Sequence, residues 1–234
     1  MTSPQHSRSA ELAVNLDAVE DRLAAAAHAA DRTRDEITLI AVSKTWPIED
    51  VAMLAALGVQ DFGENRDREA ASKALLLPDV RWHFVGAVQS SKARSVAAYA
   101  HVVHSVDRYA LLAGLAKAAE RAERTLKVLL QVSIDGDSDR SGIRPQDLAR
   151  LADAAATLPG VRLAGVMAVA PREADPATAF AVLRDVSAQL VRDHPEATWV
   201  SAGMSGDLEQ AIAAGSTHVR VGSALFGHRA AVLR

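Results

Sequence analysis

Residues 37–50 read ITLIAVSKTWPIED and predict a strand, a loop and the beginning of a helix. The run from Ile37 to Val42 is almost wholly apolar and has the length of a buried strand. Pro47, with acidic residues close behind it, is typical of a helix N-terminus, where proline is tolerated and acidic side chains favour the positive end of the helix dipole. Lys44 is therefore predicted to lie in the loop at the carboxyl end of the strand.

The same alternation of strand and helix recurs along the chain. A first helix is predicted from Ala10 to Ala30, because apolar residues recur there at helical spacing. Eight strands are predicted at Ile37–Val42, Val59–Gly63, Arg81–Val85, Val102–Val106, Lys127–Ser133, Arg162–Met167, Thr198–Ser201 and His218–Val221. This order fits a single (β/α)8 TIM barrel with an extra N-terminal helix, in one domain spanning residues 1–234. A doubly wound open sheet is the alternative.

Composition and charge argue against several classes of function. The formal net charge is −3 and the charged residues are scattered, so no basic stripe is available for a nucleic-acid backbone. The chain has no cysteine, and its histidines lack the close pairing typical of a metal site. No apolar run approaches the roughly 20 residues that span a bilayer, and no signal core is present at the N-terminus. We therefore expect a cytoplasmic protein without metal, nucleic-acid or membrane partners.

Polar residues follow nearly every predicted strand. Because barrel enzymes place their chemistry at the carboxyl ends of the strands, these residues are expected to converge on one rim. They are Ser43 and Lys44, Gly63 to Asn65, His83 and Gly86, Ser105 and Asp107, Ser133 and Asp135, Met167, Ser201 to Ser205, and Arg220 to Ser223.

Lys44 has two interpretations. At the end of a buried strand it would be partly desolvated, which would lower its pKa and free the amine to attack a carbonyl. Alternatively, its stem covers the end of the barrel while its charge reaches water. Position alone does not decide between these interpretations.

Residues 201–227, SAGMSGDLEQAIAAGSTHVRVGSALFG, have the composition of an anion-binding segment. Backbone N–H groups of Ser205, Gly222 and Ser223 could surround a phosphate where barrels often bind one. The alternative is ordinary turn chemistry, with Ser205 capping the helix that begins near residues 206–208.

Other polar residues at the rim also have structural alternatives. Strand alternation predicts that Arg220 points into the barrel mouth, although an ion pair with Glu64 would explain it equally. Asn65 and His83 could belong to a hydrogen-bond network. Asp107 reads most simply as the N-cap of the next helix.

Ordered motifs along nearly the whole chain identify a resemblance. They are LIAVSKTWP at Leu39 to Pro47, FGENRDRE, WHFVGAVQSSK, HSVDR, GVMAVAP and the segment 201–227. In this order they resemble the YggS/PROSC family of pyridoxal phosphate homeostasis proteins, which is similar to the barrel domain of alanine racemases. The resemblance implies pyridoxal 5'-phosphate (PLP) as the cofactor, held as a Schiff base on Lys44.

The resemblance also implies roles for further residues. Arg220 would face the pyridine nitrogen, and the phosphate would be received by Ser205, Gly222 and Ser223. The phosphate loop would be shaped by Ser201, Gly203 and Met204, and the cofactor pocket would be lined by Asn65 and Met167.

The implied function is PLP homeostasis with little or no catalysis. An arginine beside the pyridine nitrogen disfavours its protonation and weakens the ring as an electron sink. The sequence ends at Arg234, soon after the last predicted strand, so we expect no second domain of the kind that supplies a racemase with its catalytic tyrosine. We expect a monomer whose partners are PLP and PLP-dependent apoenzymes. A PLP-dependent amino-acid racemase and a sugar-phosphate aldolase that uses Lys44 are the alternatives.

The chain departs from the family pattern in two loops. Ser91 stands where the family usually has asparagine, Ser133 replaces a frequent asparagine, and a Lys-x-Gly element becomes Arg140-Ser141-Gly142. These changes leave the roles of the loops Gln89–Lys92 and Asp135–Gly142 open.

Overall fold

A computed structural model describes residues 4–135, 141–171 and 173–227, and eight parallel strands close into a barrel in chain order. Each strand pairs with its sequence neighbours, and the last pairs with the first. The strands are β1 (Thr38–Val42), β2 (Asp61–Glu64), β3 (Arg81–Phe84), β4 (Val102–Val106), β5 (Leu126–Gln131), β6 (Val161–Met167), β7 (Trp199–Ser201) and β8 (His218–Val221). The predicted closed barrel is confirmed, and the open sheet is excluded.

Helices surround the barrel and follow the strands. They are α1 (Pro4–Ala29), α2 (Ile48–Ala56), α3 (Asp67–Leu76), α4 (Ala93–Tyr99), α5 (Tyr109–Arg121), α6 (Leu148–Thr157), α7 (Pro176–Asp193), α8 (Leu208–Ala213) and α9 (Ser223–Phe226). The extra N-terminal helix is confirmed, although α1 begins six residues before the predicted Ala10. Among the helices of the described ranges, none combines the length and apolar character needed to cross a membrane.

Helix α1 packs against α2, α8 and α9 on the outside of the barrel. Its predicted apolar stripe is buried there, at Leu12, Leu16, Val19 and Leu23. Helix α1 also contacts the segments that follow β1 and β8, because the Arg8 guanidinium lies 4.9 Å from the centroid of the Trp46 ring and donates to the Phe226 carbonyl.

The interior of the barrel has two chemically different parts. Val102, Leu129, Ala164 and Met167 form an apolar cluster contributed by β4, β5 and β6, which we call the apolar half. The other part is a row of hydrogen-bonded polar side chains, called here the polar chain, made of Asp61, His83, His104, Ser201 and Arg220. One of its bonds joins β4 to β7, which are not neighbours in the sheet, so the row must cross the inside of the barrel.

Candidate functional site

Lys44 lies in a turn directly after β1, at the carboxyl rim of the barrel. Its side chain is exposed, so the first of the two interpretations, partial burial of the amine, is wrong for this structure. The reason is local: the chain leaves the strand at Ser43, and Thr45 adopts the left-handed conformation with φ of +68°. That conformation is unfavourable for a β-branched residue and must be held in place by its surroundings.

Two residues that flank Lys44 are held by a buried charged cluster between β2 and α3. The Lys73 ammonium donates to the Ser43 carbonyl at 2.8 Å, to Glu64 at 2.6 Å and to Glu69 at 2.8 Å. The Thr45 N–H donates to the same Glu69 carboxylate. Burial raises the pKa of Glu64, although Lys73 opposes this effect. The turn that presents Lys44 is thus fixed on both sides while its own side chain stays outside the cluster.

The segment after β7 forms a tight turn before α8. Gly203 has φ of +89°, and a Cβ atom there would lie 2.6 Å from the Cβ of Ala211, so only glycine fits. The Met204 N–H donates to Asp207 at 2.6 Å, and Asp207 is the residue that precedes the first turn of α8. Ser205 does not cap α8, so the predicted capping alternative is wrong.

Ser205 instead connects the turns after β7 and β8. Its hydroxyl oxygen accepts a hydrogen bond from the Ala224 N–H at 3.4 Å, and its carbonyl accepts one from Arg22 of α1 at 3.0 Å. In the described part of the chain, the backbone N–H groups of Ser205, Gly222 and Ser223 donate no hydrogen bond. These are the donors predicted to receive a phosphate, and their lack of a protein acceptor leaves them able to bind an anion.

The Lys44 turn and the Gly222 turn lie side by side, because β1 and β8 are neighbours. A Cβ atom on Gly222 would lie 3.3 Å from the carbonyl oxygen of Val42. Beyond the two turns, Trp46 stacks on Phe226 with ring centroids 5.6 Å apart. The predicted amine and the predicted anion donors therefore occupy adjoining positions on one rim.

Arg220 is buried inside the barrel, as strand alternation predicted. Its guanidinium donates to the Ser201 hydroxyl at 2.7 Å and to the Ala168 carbonyl at 2.9 Å. Burial lowers the pKa of Arg220 to about 10, which leaves the group charged at neutral pH. The alternative of an ion pair with Glu64 is wrong, because Glu64 pairs with Lys73.

The polar chain continues from Ser201 away from Arg220. Ser201 and His104 are 2.9 Å apart, His104 and His83 are 2.9 Å apart, and His83 and Asp61 are 2.9 Å apart. Burial lowers the pKa of His104 well below its usual value. Burial opposes ionisation of Asp61, but hydrogen bonds from Arg81 and His83 outweigh it and lower the pKa of that carboxyl. His83 therefore belongs to a hydrogen-bond network, which confirms one of the interpretations of the sequence.

The remaining predicted pocket residues lie in three different environments. Met167 is buried in the apolar half, whereas Met204 is 40% exposed on the rim. Asn65 follows β2, and its side-chain oxygen is buried without a hydrogen-bond partner. An unpaired buried acceptor next to the Lys44 turn is costly unless a further donor binds it.

Sequence reasoning missed the roles of His104 and Lys73. His104 could have been noticed from the two-residue alternation of β4, which places it on the same face as the buried Val102. Lys73 had one local signal, its four-residue spacing from Glu69 on α3, but its other partners come from the ends of β1 and β2. Asp107 was wrongly predicted as an N-cap: Arg108 occupies that position in α5, and Asp107 forms an ion pair with it.

The two loops that depart from the family pattern are tied to the rest of the barrel. The Gln89–Lys92 loop contains a short 3-10 helix, and Arg108 donates to its Ser90 hydroxyl at 3.2 Å. In the Asp135–Gly142 loop, residues 136–140, which include Arg140, lie outside the described residues. The Ser141 carbonyl accepts a hydrogen bond from Gln131 at 2.8 Å.

Comparison with known proteins identifies relatives of this chain. The family of the alanine racemase N-terminal domain matches residues 14–230. The pyridoxal phosphate homeostasis protein of Mycobacterium leprae is 40% identical over 243 residues, covering 95% of each chain. The protein of the same name from Pseudomonas aeruginosa is 42% identical, covering 93% of this chain and 96% of its own.

A solved structure gives a similar result. PipY of Synechococcus elongatus, with PLP bound, superposes with a TM-score of 0.77 at 37% identity, covering 82% of this chain and 93% of PipY. This chain therefore belongs to the pyridoxal phosphate homeostasis protein family, within the larger family of the alanine racemase N-terminal domain.

Proposed function

We propose that this chain binds PLP at the carboxyl rim of its barrel and serves PLP homeostasis, with Lys44 holding the cofactor through a Schiff base. The observation that carries the proposal is the adjacency of the Lys44 turn to the unpaired N–H groups of the Gly222 turn. The relatives of about 40% identity are PLP homeostasis proteins, and PipY binds PLP, which supports the same cofactor here.

The residues on the rim fit a phosphorylated pyridine aldehyde. The cofactor supplies an aldehyde carbon that a lysine amine can capture and a ring that can accept electrons in enzymes. Ser205, Gly222 and Ser223 would hold its phosphate, with Gly203 and Met204 shaping the turn behind them. The side chains of Asn65 and Met167 would line the pocket, with Met167 offering an apolar surface.

Arg220 and Ser201 support a role in carrying the cofactor more than a role in catalysis. A buried guanidinium that remains charged at neutral pH, held by Ser201 at 2.7 Å, would oppose protonation of a pyridine nitrogen beside it. Chemistry that builds negative charge on the substrate benefits from a protonated ring nitrogen. We therefore propose little or no intrinsic enzyme activity.

Adding PLP to the purified protein tests the cofactor assignment. We expect a visible absorption band, and borohydride reduction should attach the cofactor to the peptide that contains Lys44. Lys44→Ala should abolish both the band and the adduct. Lys117→Ala, which removes an exposed lysine on α5, is the matched control and should behave like the wild type. An adduct that survives Lys44→Ala would refute the assignment.

Exchange of the α-proton of amino acids with deuterium tests the racemase alternative. An ordinary enzyme turns over about once per second or faster. We expect the PLP-loaded protein to be much slower for every amino acid tried. Turnover at enzymatic rates would show that the family fold here supports catalysis.

We also propose that bound PLP passes to PLP-dependent apoenzymes and that the chain is a monomer. Reactivation of an apoenzyme by the PLP-loaded protein, compared with the same concentration of free PLP, measures the transfer. Light scattering measures the mass in solution, for which we expect 24.7 kDa.

A further inference from the structure

The polar chain has two ends of opposite hydrogen-bonding character. The Arg220 guanidinium can only donate, and the Asp61 carboxylate can only accept. Asp61 is also paired with Arg81 at 2.6 Å, which keeps it ionised. Between these ends lie Ser201, His104 and His83, each of which can both donate and accept.

The ends determine the direction of every bond between them. Arg220 donates to Ser201, so the Ser201 hydroxyl is free to donate to Nδ1 of His104. His104 then carries its proton on Nε2 and donates to Nδ1 of His83. His83 in turn donates from Nε2 to Asp61. With both histidines neutral, all four bonds have one donor and one acceptor.

The opposite direction leaves a conflict. If His104 donated from Nδ1 to Ser201, a neutral His83 would have to donate from Nδ1 to His104. Its bare Nε2 would then face the Asp61 oxygen at 2.9 Å, placing two acceptors in contact. Only an added proton on His83 would resolve this, and it would bring a second positive charge toward the buried Arg220.

The direction of the chain has a consequence for Arg220. Two bonds from two different nitrogens, one to Ser201 and one to the Ala168 carbonyl, define the plane of its guanidinium. The orientation of the Ser201 hydroxyl is fixed by the hydrogen bond that it donates to Nδ1 of His104. His104 in turn depends on His83 and Asp61.

We infer that Ser201, His104 and His83 are positioning residues that fix the guanidinium plane of Arg220, the group proposed to face the pyridine ring. In this role neither His83 nor His104 has to contact the cofactor. The inference rests on the proposed function in one respect, namely that Arg220 faces bound PLP.

Comparison with the adjoining apolar half indicates that the polar chain does more than fill space. Val102, Leu129, Ala164 and Met167 fill the same enclosed space without any polar atom in their side chains apart from the thioether sulfur. Buried polar networks gain little net stability over well-packed apolar side chains, but they hold their members in one geometry. The presence of five hydrogen-bonded polar side chains in the same interior is what orientation of the Arg220 guanidinium would require.

The first experiment uses the protein without PLP. Ring ¹⁵N NMR of histidine should show both His83 and His104 protonated on Nε2 and bare on Nδ1. Ser201→Ala should move the Nδ1 resonance of His104 toward that of a free acceptor, whereas Ser201→Thr, which keeps the hydroxyl, should not. A doubly protonated His83, or protons on Nδ1, would overturn the inferred direction.

The second experiment measures PLP binding in variants. His83→Phe changes neither Arg220 nor Ser201, but it breaks the chain at a residue separated from the guanidinium by Ser201 and His104. We expect about tenfold weaker binding and a shifted absorption maximum of the bound cofactor. Val102→Ala is the control, because it weakens the same interior and leaves every hydrogen-bonding side chain of the polar chain present, and its absorption maximum should equal that of the wild type.

The outcomes separate the two proposals. If both variants lose affinity alike and keep the wild-type maximum, the chain is only structural and the inference fails, while PLP binding stands. If the wild type forms no adduct with PLP, the proposed function fails, and the histidine NMR still decides the direction of the chain. Should His83→Phe not fold, His83→Leu, which also lacks any hydrogen-bonding atom, replaces it with the same expected shift.

Discussion

The two parts of the barrel interior solve the same packing problem with opposite chemistry. The apolar half joins three consecutive strands through non-directional contacts, so each side chain tolerates small displacements of its neighbours. The polar chain joins five strands through single hydrogen bonds, each of which requires the correct donor in the correct place. We therefore expect that, inside the barrel, the apolar half contributes more to stability and the polar chain more to orientation. Four measurements test this contrast.

The largest effect on stability is expected in the apolar half. Leu129→Ala should lower the free energy of unfolding by about 2–5 kcal/mol, because it removes buried methyl groups and leaves a cavity in a fully enclosed cluster. Urea unfolding measures the change. Leu75→Ala on α3, where the leucine is 84% exposed, is the control and should alter stability by about 0.5 kcal/mol or less. Equal losses in the two variants would contradict the assignment.

A smaller effect concerns His218, which is buried inside the barrel and stacks on Trp199 with centroids 4.2 Å apart. Burial lowers the pKa of His218 to about 3. Because an unfolded histidine has a pKa of about 6.5, the unfolded chain binds a proton below that pH that the folded chain does not. Stability is therefore lost as the pH falls from 6.5 toward 3, by roughly 1.4 kcal/mol per pH unit from this residue.

Comparing variants isolates the contribution of His218 from those of other titrating groups. Urea unfolding of His218→Asn at pH 6.5 and pH 4.5 should show a smaller pH-dependent loss than the wild type, by about 2 kcal/mol. His28→Asn changes an exposed histidine of α1 and should retain the wild-type slope. If His218→Asn also retained the pH dependence of the wild type, the lowered pKa assigned to the buried His218 would be wrong.

A break in the polar chain should cost less than a cavity in the apolar half. Ser201→Ala leaves one N–H of Arg220 and Nδ1 of His104 without their partner, which should reduce the free energy of unfolding by about 1–3 kcal/mol. Ser72→Ala, an exposed position on α3, serves as the control. A loss greater than that of Leu129→Ala would reverse the proposed division between stability and orientation.

The smallest effect is expected where Lys127 meets the apolar half. Its ammonium lies 4.4 Å from the centroid of the Trp199 ring. Lys127→Met should cost about 0.5–1 kcal/mol through the lost cation–π contact, while Lys127→Arg should retain most of it. Thermal unfolding of the two variants measures the difference, and identical destabilisation by both would assign the effect to packing of the stem.

Much of the fold could be predicted from local sequence. Two predicted strand ends differ from the observed ones by two residues. Strand β2 begins at Asp61 instead of the predicted Val59, and β5 ends at Gln131 instead of the predicted Ser133. The loop position of Lys44 and the inward direction of Arg220 were also predicted. These features depend on periodicity and on residues a few positions apart, which a sequence displays directly.

Other features of the site depended on which strands meet. The bond between His104 and Ser201 joins residues 97 positions apart, and no local pattern indicates that pair. The exposure of Lys44 likewise follows from the left-handed Thr45 and from Glu69 on α3, not from the apolar run before it.

Local sequence was enough to predict the barrel, its strands and the residues available at the rim, because hydrophobic periodicity and turn residues act over short distances. Which polar groups pair inside the barrel depends on the tertiary fold, because a closed sheet brings together side chains that the chain order separates. The same closure decided that Glu64 pairs with Lys73 and that Arg220 is held by Ser201.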